Sequence, residues 1–204
     1  MKGKNTEQMI LQAAEAEFLD KGFALAKTTD IAQAAGVTHA MLHYYYRTKE
    51  KLFEKVFSEK VRLLAQSIEA TVDGSKPFPE QIAEFVAVHF DFIAANPKLP
   101  LFVINELLLN KERRQIYVPS LARAIRPALL NLDRLLRQAV ERGEIREVKT
   151  VDLVFSIASL NIMTFVSAPI VHEAMGLNDE EAEEFMRKRK SENIEMILSR
   201  LIRR

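Results

Sequence analysis

Apolar side chains recur at three- and four-residue intervals along most of the chain, and no stretch alternates apolar and polar positions convincingly enough for a strand. Bounded by caps and breakers, this pattern predicts about nine helices and an all-α fold. The first, from about residue 6 to 21, carries Met9, Ile10, Ala13, Ala14 and Phe18; Asn5 and Gln8 resemble a capping box, and Gly22 ends it. Two short helices, about 29 to 35 and 38 to 45, flank Gly36-Val37. A long fourth helix is expected after Thr48, bearing Leu52, Phe53, Val56, Phe57, Leu63 and Leu64, with Asp73-Gly74 as its stop.

The segment from Gly74 through Pro77 to Pro79 is the clearest linker, because Gly and two Pro so close together cannot continue a helix. It sets the expected division: residues 1–48 as one domain, 49–73 as a connecting helix, 74–204 as a second domain. Beyond it, helices are expected at about 79–96, 100–111 and 120–142, the last kinked by Pro127 and ended by Gly143. Thr150 is expected to cap a helix that Pro169 stops, and Asn178 to cap a final one reaching about residue 203.

Composition narrows the function. With no Cys among 204 residues, a disulfide scaffold, a thiolate zinc site and a Cys nucleophile are excluded. A net charge of +1 gives no global sign of nucleic acid, so any basic surface must be local. The first ten residues lack the apolar core of a secretory signal, and the uncharged run at 153–171 is broken by Ser156, Ser159, Asn161, Thr164, Ser167 and Pro169. A cytoplasmic protein with no membrane span is the expectation.

Residues 28–47, TTDIAQAAGVTHAMLHYYYR, carry the specific signal. Two helices too short to stand alone, joined by a Gly turn, must share one small core, which is the arrangement of a helix-turn-helix. Ile31, Ala32 and Ala35 face inward from the first, and Val37, Leu42 and Tyr45 from the second. Left outward are Thr38, His39, Ala40, Met41, His43 and Tyr44, and no Asp or Glu occurs from Ile31 to Lys49. An acid-free surface of Lys, Arg, His and Tyr donors suits phosphate and base contact with double-stranded DNA. The alternative is a helix pair that serves only as a packing unit.

From about Met9 to Phe57 the sequence resembles the TetR family of bacterial transcriptional regulators: AEFLDKGF, the threonines before DIAQAAGV, and the Tyr-rich run leading into RTKEKLF. The resemblance implies a three-helix DNA-binding head, a connecting fourth helix and a helical domain for an effector and dimerisation. It implies phosphate contacts from Thr28 and Lys49 and an approach to base edges by Thr38, His39 and Ala40, with Tyr44 beside them. His43 stands where the family usually has Tyr, and Ala40 where Gly is common. The implied function is a ligand-responsive repressor that binds a palindromic operator as a homodimer. The same fold without small-molecule control is the alternative.

His39 and His43, at i and i+4, have a metal-ligand spacing but no adjacent carboxylate, so no metal site is expected. No catalytic constellation can be picked out, and neither an enzyme nor a cofactor is expected. In the second domain His89 interrupts the apolar stripe Ile82, Phe85, Val86 and Ile93. With Phe92, Phe102, Asn105 and Asn161 it could line a pocket for an apolar or amphipathic effector, the alternative for the polar members being hydrogen-bonded core positions. Glu183-Arg187 and Glu184-Lys188 are spaced to pair on the last helix. Val151, Val154, Phe155, Ala158, Ile162 and Phe165, with Ile194, Ile197, Leu198, Leu201 and Ile202, give the last two helices more apolar surface than one bundle hides, as expected of a dimer interface.

Overall fold

The computed structural model describes residues 2–71 and 74–202, all-helical where it is regular. The helices are α1 Lys2–Leu25, α2 Thr28–Ala34, α3 His39–Tyr45, α4 Lys49–Glu69, α5 Phe78–Ala94, α6 Leu99–Val103, α7 Lys111–Glu141, α8 Thr150–Met175 and α9 Asp179–Leu201. A π-helical turn, Ile104–Leu108, continues α6. Two compact units result: one holds Met1–Arg62 with Leu101–Arg123, the other Leu63–Pro100 with Ala124–Arg204. Segment 101–123, sequence-assigned to the second domain, thus groups with the head.

In the first unit α1 buries Ile10, Ala14 and Phe18, α2 buries Ile31 and Ala32, α3 buries Leu42, and α4 buries Leu52, Phe53, Val56 and Phe57. Phe53 is the hub. Its ring lies 5.1 Å edge-on from both Phe18 and Phe23, 5.5 Å from Phe102 and 5.1 Å from Tyr117. Such aromatic pairs add about 0.5–1.5 kcal/mol each beyond the area they bury. Gly22 (φ 69°, ψ 173°) breaks helical geometry inside α1, as its place in the sequence predicts. At the other end of α1 the expected capping box is absent, because the helix runs on through Asn5 to Lys2.

The second unit is centred on Phe78, Ile82, Phe85 and Val86 of α5, Leu132, Leu135, Leu136 and Ala139 of α7, Leu153 and Ile157 of α8, and Ile197 and Leu201 of α9. Asn178 caps α9 with a full capping box, its side chain accepting the Glu181 N–H at 3.0 Å while the Glu181 carboxylate accepts the Asn178 N–H at 2.9 Å.

Three boundaries differ from expectation. Pro169 does not stop α8, which continues to Gly176, a left-handed C-cap (φ 63°) closed by the Leu177 N–H to the His172 carbonyl. A mid-helix proline costs a hydrogen bond and some strain, but the ladder on either side re-forms wherever tertiary packing favours the helix. α7 likewise runs through Pro119 and Pro127, and it starts at Lys111, where the Asn110 side chain accepts the Arg113 N–H at 3.0 Å. The helix expected at 100–111 is instead α6 plus the π-turn, closed by the Leu109 N–H to the Ile104 carbonyl.

Candidate nucleic-acid interface and effector residues

α3 begins at a cap rather than by propensity: the Thr38 hydroxyl accepts the Met41 N–H at 3.2 Å. With Leu42 buried inward, Thr38, His39, Ala40, Met41, His43 and Tyr44 all lie exposed, and Tyr44 is 83% accessible. The His39 Nε2 sits 3.0 Å from the Thr28 hydroxyl, tying the first residue of α2 to the first of α3. His39 and His43 stack edge to face at 4.7 Å, and Tyr44 does the same with Tyr45 at 5.6 Å. Imidazole, phenol and hydroxyl donors therefore share one face of the head. Asp30, just before the acid-free stretch, is held by Lys21 at 3.3 Å, which lowers the Asp30 pKa, while Glu17 first and Asp30 second raise that of Lys21.

Tyr46, rather than the expected Tyr45, closes the core behind this face. α3 ends at Tyr45, and the extended backbone of Tyr46 (φ −131°, ψ 98°) turns its ring inward. The Tyr46 hydroxyl donates to the Glu7 carboxylate at 3.1 Å, and burial with that carboxylate pushes its pKa far up. A 3.6-residue period cannot foresee this, because the last residue is no longer on the helix.

Lys49, at the start of α4, is half-buried. Its ammonium lies 4.6 Å above the Phe23 ring and makes a long hydrogen bond (3.4 Å) to the Ala24 carbonyl; burial lowers its pKa. Among the described residues no group of three or more His, Asp or Glu could hold a metal.

The residues expected at an effector site are divided. Phe85 lies in the core of the second unit, and His89 and Asn161 are buried there in contact. Asn161 Nδ2 donates to the Val86 carbonyl and stands 3.0 Å from His89 Nδ1; Asn161 Oδ1 accepts from Asn193 Nδ2 at 3.0 Å. Asn193 also reaches the Thr164 hydroxyl at 3.3 Å and accepts from Arg189 at 2.9 Å. A carbonyl cannot donate, so Val86 fixes which end of the Asn161 amide carries the hydrogens. His89 Nδ1 must therefore accept, and the ring is neutral with its proton on Nε2. Burial holds the His89 pKa down at about 4.

Phe92 is half-buried on α5, whereas Phe102 and Asn105 belong to the first unit, Phe102 against Phe53 and Asn105 exposed. Two open grooves of about 520 Å³ mark the second unit, one along Asp133, Arg137, Glu147 and Thr150, the other along Leu129, Leu130, Val151, Val154 and Phe155. None of the six expected effector residues lines either groove.

Three features escaped the sequence reading. Asn193 and Thr164 complete the buried polar chain, and an Asn on the α9 apolar stripe was the available sign of it. Glu106, a buried acid in the run LFVINELLL, accepts the Phe23 N–H at 2.8 Å. The basic run of α9 is also less solvated than its charge suggests: Lys190 pairs with Asp91 at 2.7 Å. Arg187 pairs with Glu184, at i,i+3, rather than with Glu183.

Residues 10–56 match the model of bacterial regulatory proteins of the tetR family, and residues 79–197 that of the tetracyclin repressor-like C-terminal domain. The chain belongs to the TetR family and is a DNA-binding transcriptional regulator. It is 27% identical over 149 residues to the fatty acid metabolism regulator protein of Bacillus subtilis, covering 72% of this chain and 75% of that one. It is 31% identical over 113 residues to the HTH-type transcriptional regulator TtgR of Pseudomonas putida, 55% of this chain and about half (48%) of that protein. The crystal structure of the transcriptional regulator FadR from Bacillus subtilis in complex with stearoyl-CoA shares the fold, with a TM-score of 0.70 at 20% identity over 95% of this chain and 98% of that one. One described helix, α8, is long and apolar enough to cross a membrane.

Proposed function

We propose that the protein is a cytoplasmic, effector-responsive repressor that docks a palindromic operator as a homodimer, and that its effector is a long-chain acyl thioester. The observation that carries the DNA reading is the exposed α3 face, where Thr38, His39, Ala40, His43 and Tyr44 stand clear of the core with Thr28 joined to its edge through His39. In this docking Lys49 is a phosphate contact and His39 a base contact. Lys49→Ala is expected to weaken binding to every DNA sequence alike and to lower the salt slope by about one. His39→Ala is expected to relax preference at particular base pairs, by roughly 1–3 kcal/mol. Titration of both variants against operator and scrambled duplexes over a salt series checks this.

The effector reading is supported by the relatives that regulate fatty acid metabolism and by the neighbour bound to stearoyl-CoA. A ligand that binds only the folded state at a hundred times its dissociation constant adds about 2.7 kcal/mol to stability. For a chain of this size that raises the melting temperature by roughly 5–10 °C. Stearoyl-CoA is expected to do so and to release operator DNA, while coenzyme A alone does neither. A thermal shift without DNA release, or release by coenzyme A alone, would remove the acyl chain from the mechanism.

A further inference from the structure

Lys49 is the residue the docking above assigns to the phosphate backbone, and what supports it is not on α4. Its ammonium rests on the Phe23 ring and the Ala24 carbonyl, so its position is set by the two residues after Gly22. That turn is held in turn by Glu106. The Glu106 Oε1 accepts the Phe23 N–H at 2.8 Å, in the gap where Gly22 leaves the helix and the amide would otherwise lack a partner. A Cβ on Gly22 would stand 3.0 Å from the same oxygen, so the approach needs glycine for space as well as for its positive φ.

The second Glu106 oxygen pairs with the Arg113 guanidinium, whose Cζ lies 4.2 Å from the centre of the Phe23 ring. Phe23 therefore carries two cations, Arg113 and Lys49, and only one of them is neutralised by a buried acid. Glu106 lies in the π-turn 104–108, and Arg113 at the start of α7, so both come from the segment that joins the head from outside its own sequence. The π-turn takes one extra residue per hydrogen-bonded ring, as at the Leu109 N–H to Ile104 carbonyl bond.

We propose that Glu106 is a positioning residue for operator binding: it fixes the Phe23 platform on which Lys49 rests, and it is where segment 101–123 grips the DNA-binding head. The proposal depends on Lys49 contacting phosphate. Removing either the Glu106 charge or the Arg113 guanidinium breaks the ion pair that holds the Phe23 ring beneath Lys49. Removing the acceptor frees the Phe23 amide and with it the turn.

The test is a double-mutant cycle on operator binding at several salt concentrations, with Lys49→Ala, Glu106→Gln and the double variant. Glu106→Gln keeps an acceptor for the Phe23 N–H and so preserves the fold, which circular dichroism verifies. If that variant does not fold, Arg113→Met reads the same platform from the cation side. The expected result is about a tenfold weaker operator affinity and a lower salt slope for Glu106→Gln or Arg113→Met, and no further loss in combination with Lys49→Ala. A merely structural role would weaken binding additively and leave the salt slope unchanged, and that result overturns the proposal. So does unchanged affinity of the Glu106 and Arg113 variants while Lys49→Ala weakens binding. Should Lys49→Ala itself bind normally, the docking fails first and the positioning role falls with it.

Discussion

Phe155→Lys is expected to convert the protein from a dimer to a monomer at micromolar concentration and to weaken operator binding at least a hundredfold. α8 leaves Val151, Phe155 and Ile170 about 70% accessible within the chain, with Met163 and Met175 on the same helix also exposed. An apolar run of this extent is far more than the scattered exposed side chains of a soluble monomer. The adjoining groove between the 126–133 stretch of α7 and α8, lined by Leu129, Leu130, Val154 and Ala158, continues it. We propose that α8 and α9 of two copies pair here about a two-fold axis, which also matches a palindromic operator. A charge buried at the centre of that contact has no partner, and a monomer touches a single half-site. A hundredfold loss corresponds to about 2.7 kcal/mol. Because Phe155 is exposed within the chain, its replacement is expected to leave helix content unchanged. Sedimentation of Phe155→Lys as a dimer would place the interface elsewhere, and sedimentation of the wild type as a monomer would remove the dimer itself.

The second large effect is one of pH on stability. His89 is held neutral when folded, with a pKa of about 4 against an ordinary value of 6.5, because burial penalises its charged form. The unfolded chain binds a proton at this residue between those two values and the folded chain does not. His89 therefore contributes its full stability above about pH 6.5 and loses it as pH falls towards 4. Between pH 7.5 and 4.5 the loss is about 2–3 kcal/mol at 25 °C. The hydrogen-bond network makes the penalty specific, since a protonated Nδ1 would meet the Asn161 NH₂ group, and turning that amide would set its oxygen against the Val86 carbonyl. Denaturant titrations of the wild type and His89→Gln at both pH values separate this from the titration of carboxylates. An equal pH dependence of the two proteins would show that His89 takes up its proton when folded.

How far the sequence reaches is clearest at the ends of helices. The cap at Asn178, the breaks at Gly22 and Gly36 and the long fourth helix after Thr48 are all local signals, each complete within four or five residues. The exposed donor face of α3 was legible for the same reason: its residues are consecutive, and the small core behind them fixes which way they point. Tyr46 was not, because it lies one residue past the helix and its direction depends on the Glu7 carboxylate on α1.

One stop signal was overread where packing decides. Pro169 removes one backbone donor, a local cost that a long apolar helix on a folded unit outweighs. The His89–Asn161 pair was visible only as two polar residues on apolar stripes. Its partners, Asn193 and Thr164, lie on other turns and another helix, so whether the polar groups were satisfied could not be read along the chain.

The sequence by itself determined the family, the all-helical class and the exposed residues of α3, since these follow from periodicity, caps and one contiguous motif. Only the tertiary structure decided that segment 101–123 joins the head, that Glu106 reaches Phe23 across 83 residues, and that His89 is a neutral acceptor. Those outcomes depend on which buried polar groups meet. A buried donor or acceptor finds its partner wherever the fold brings one, without regard to distance along the chain.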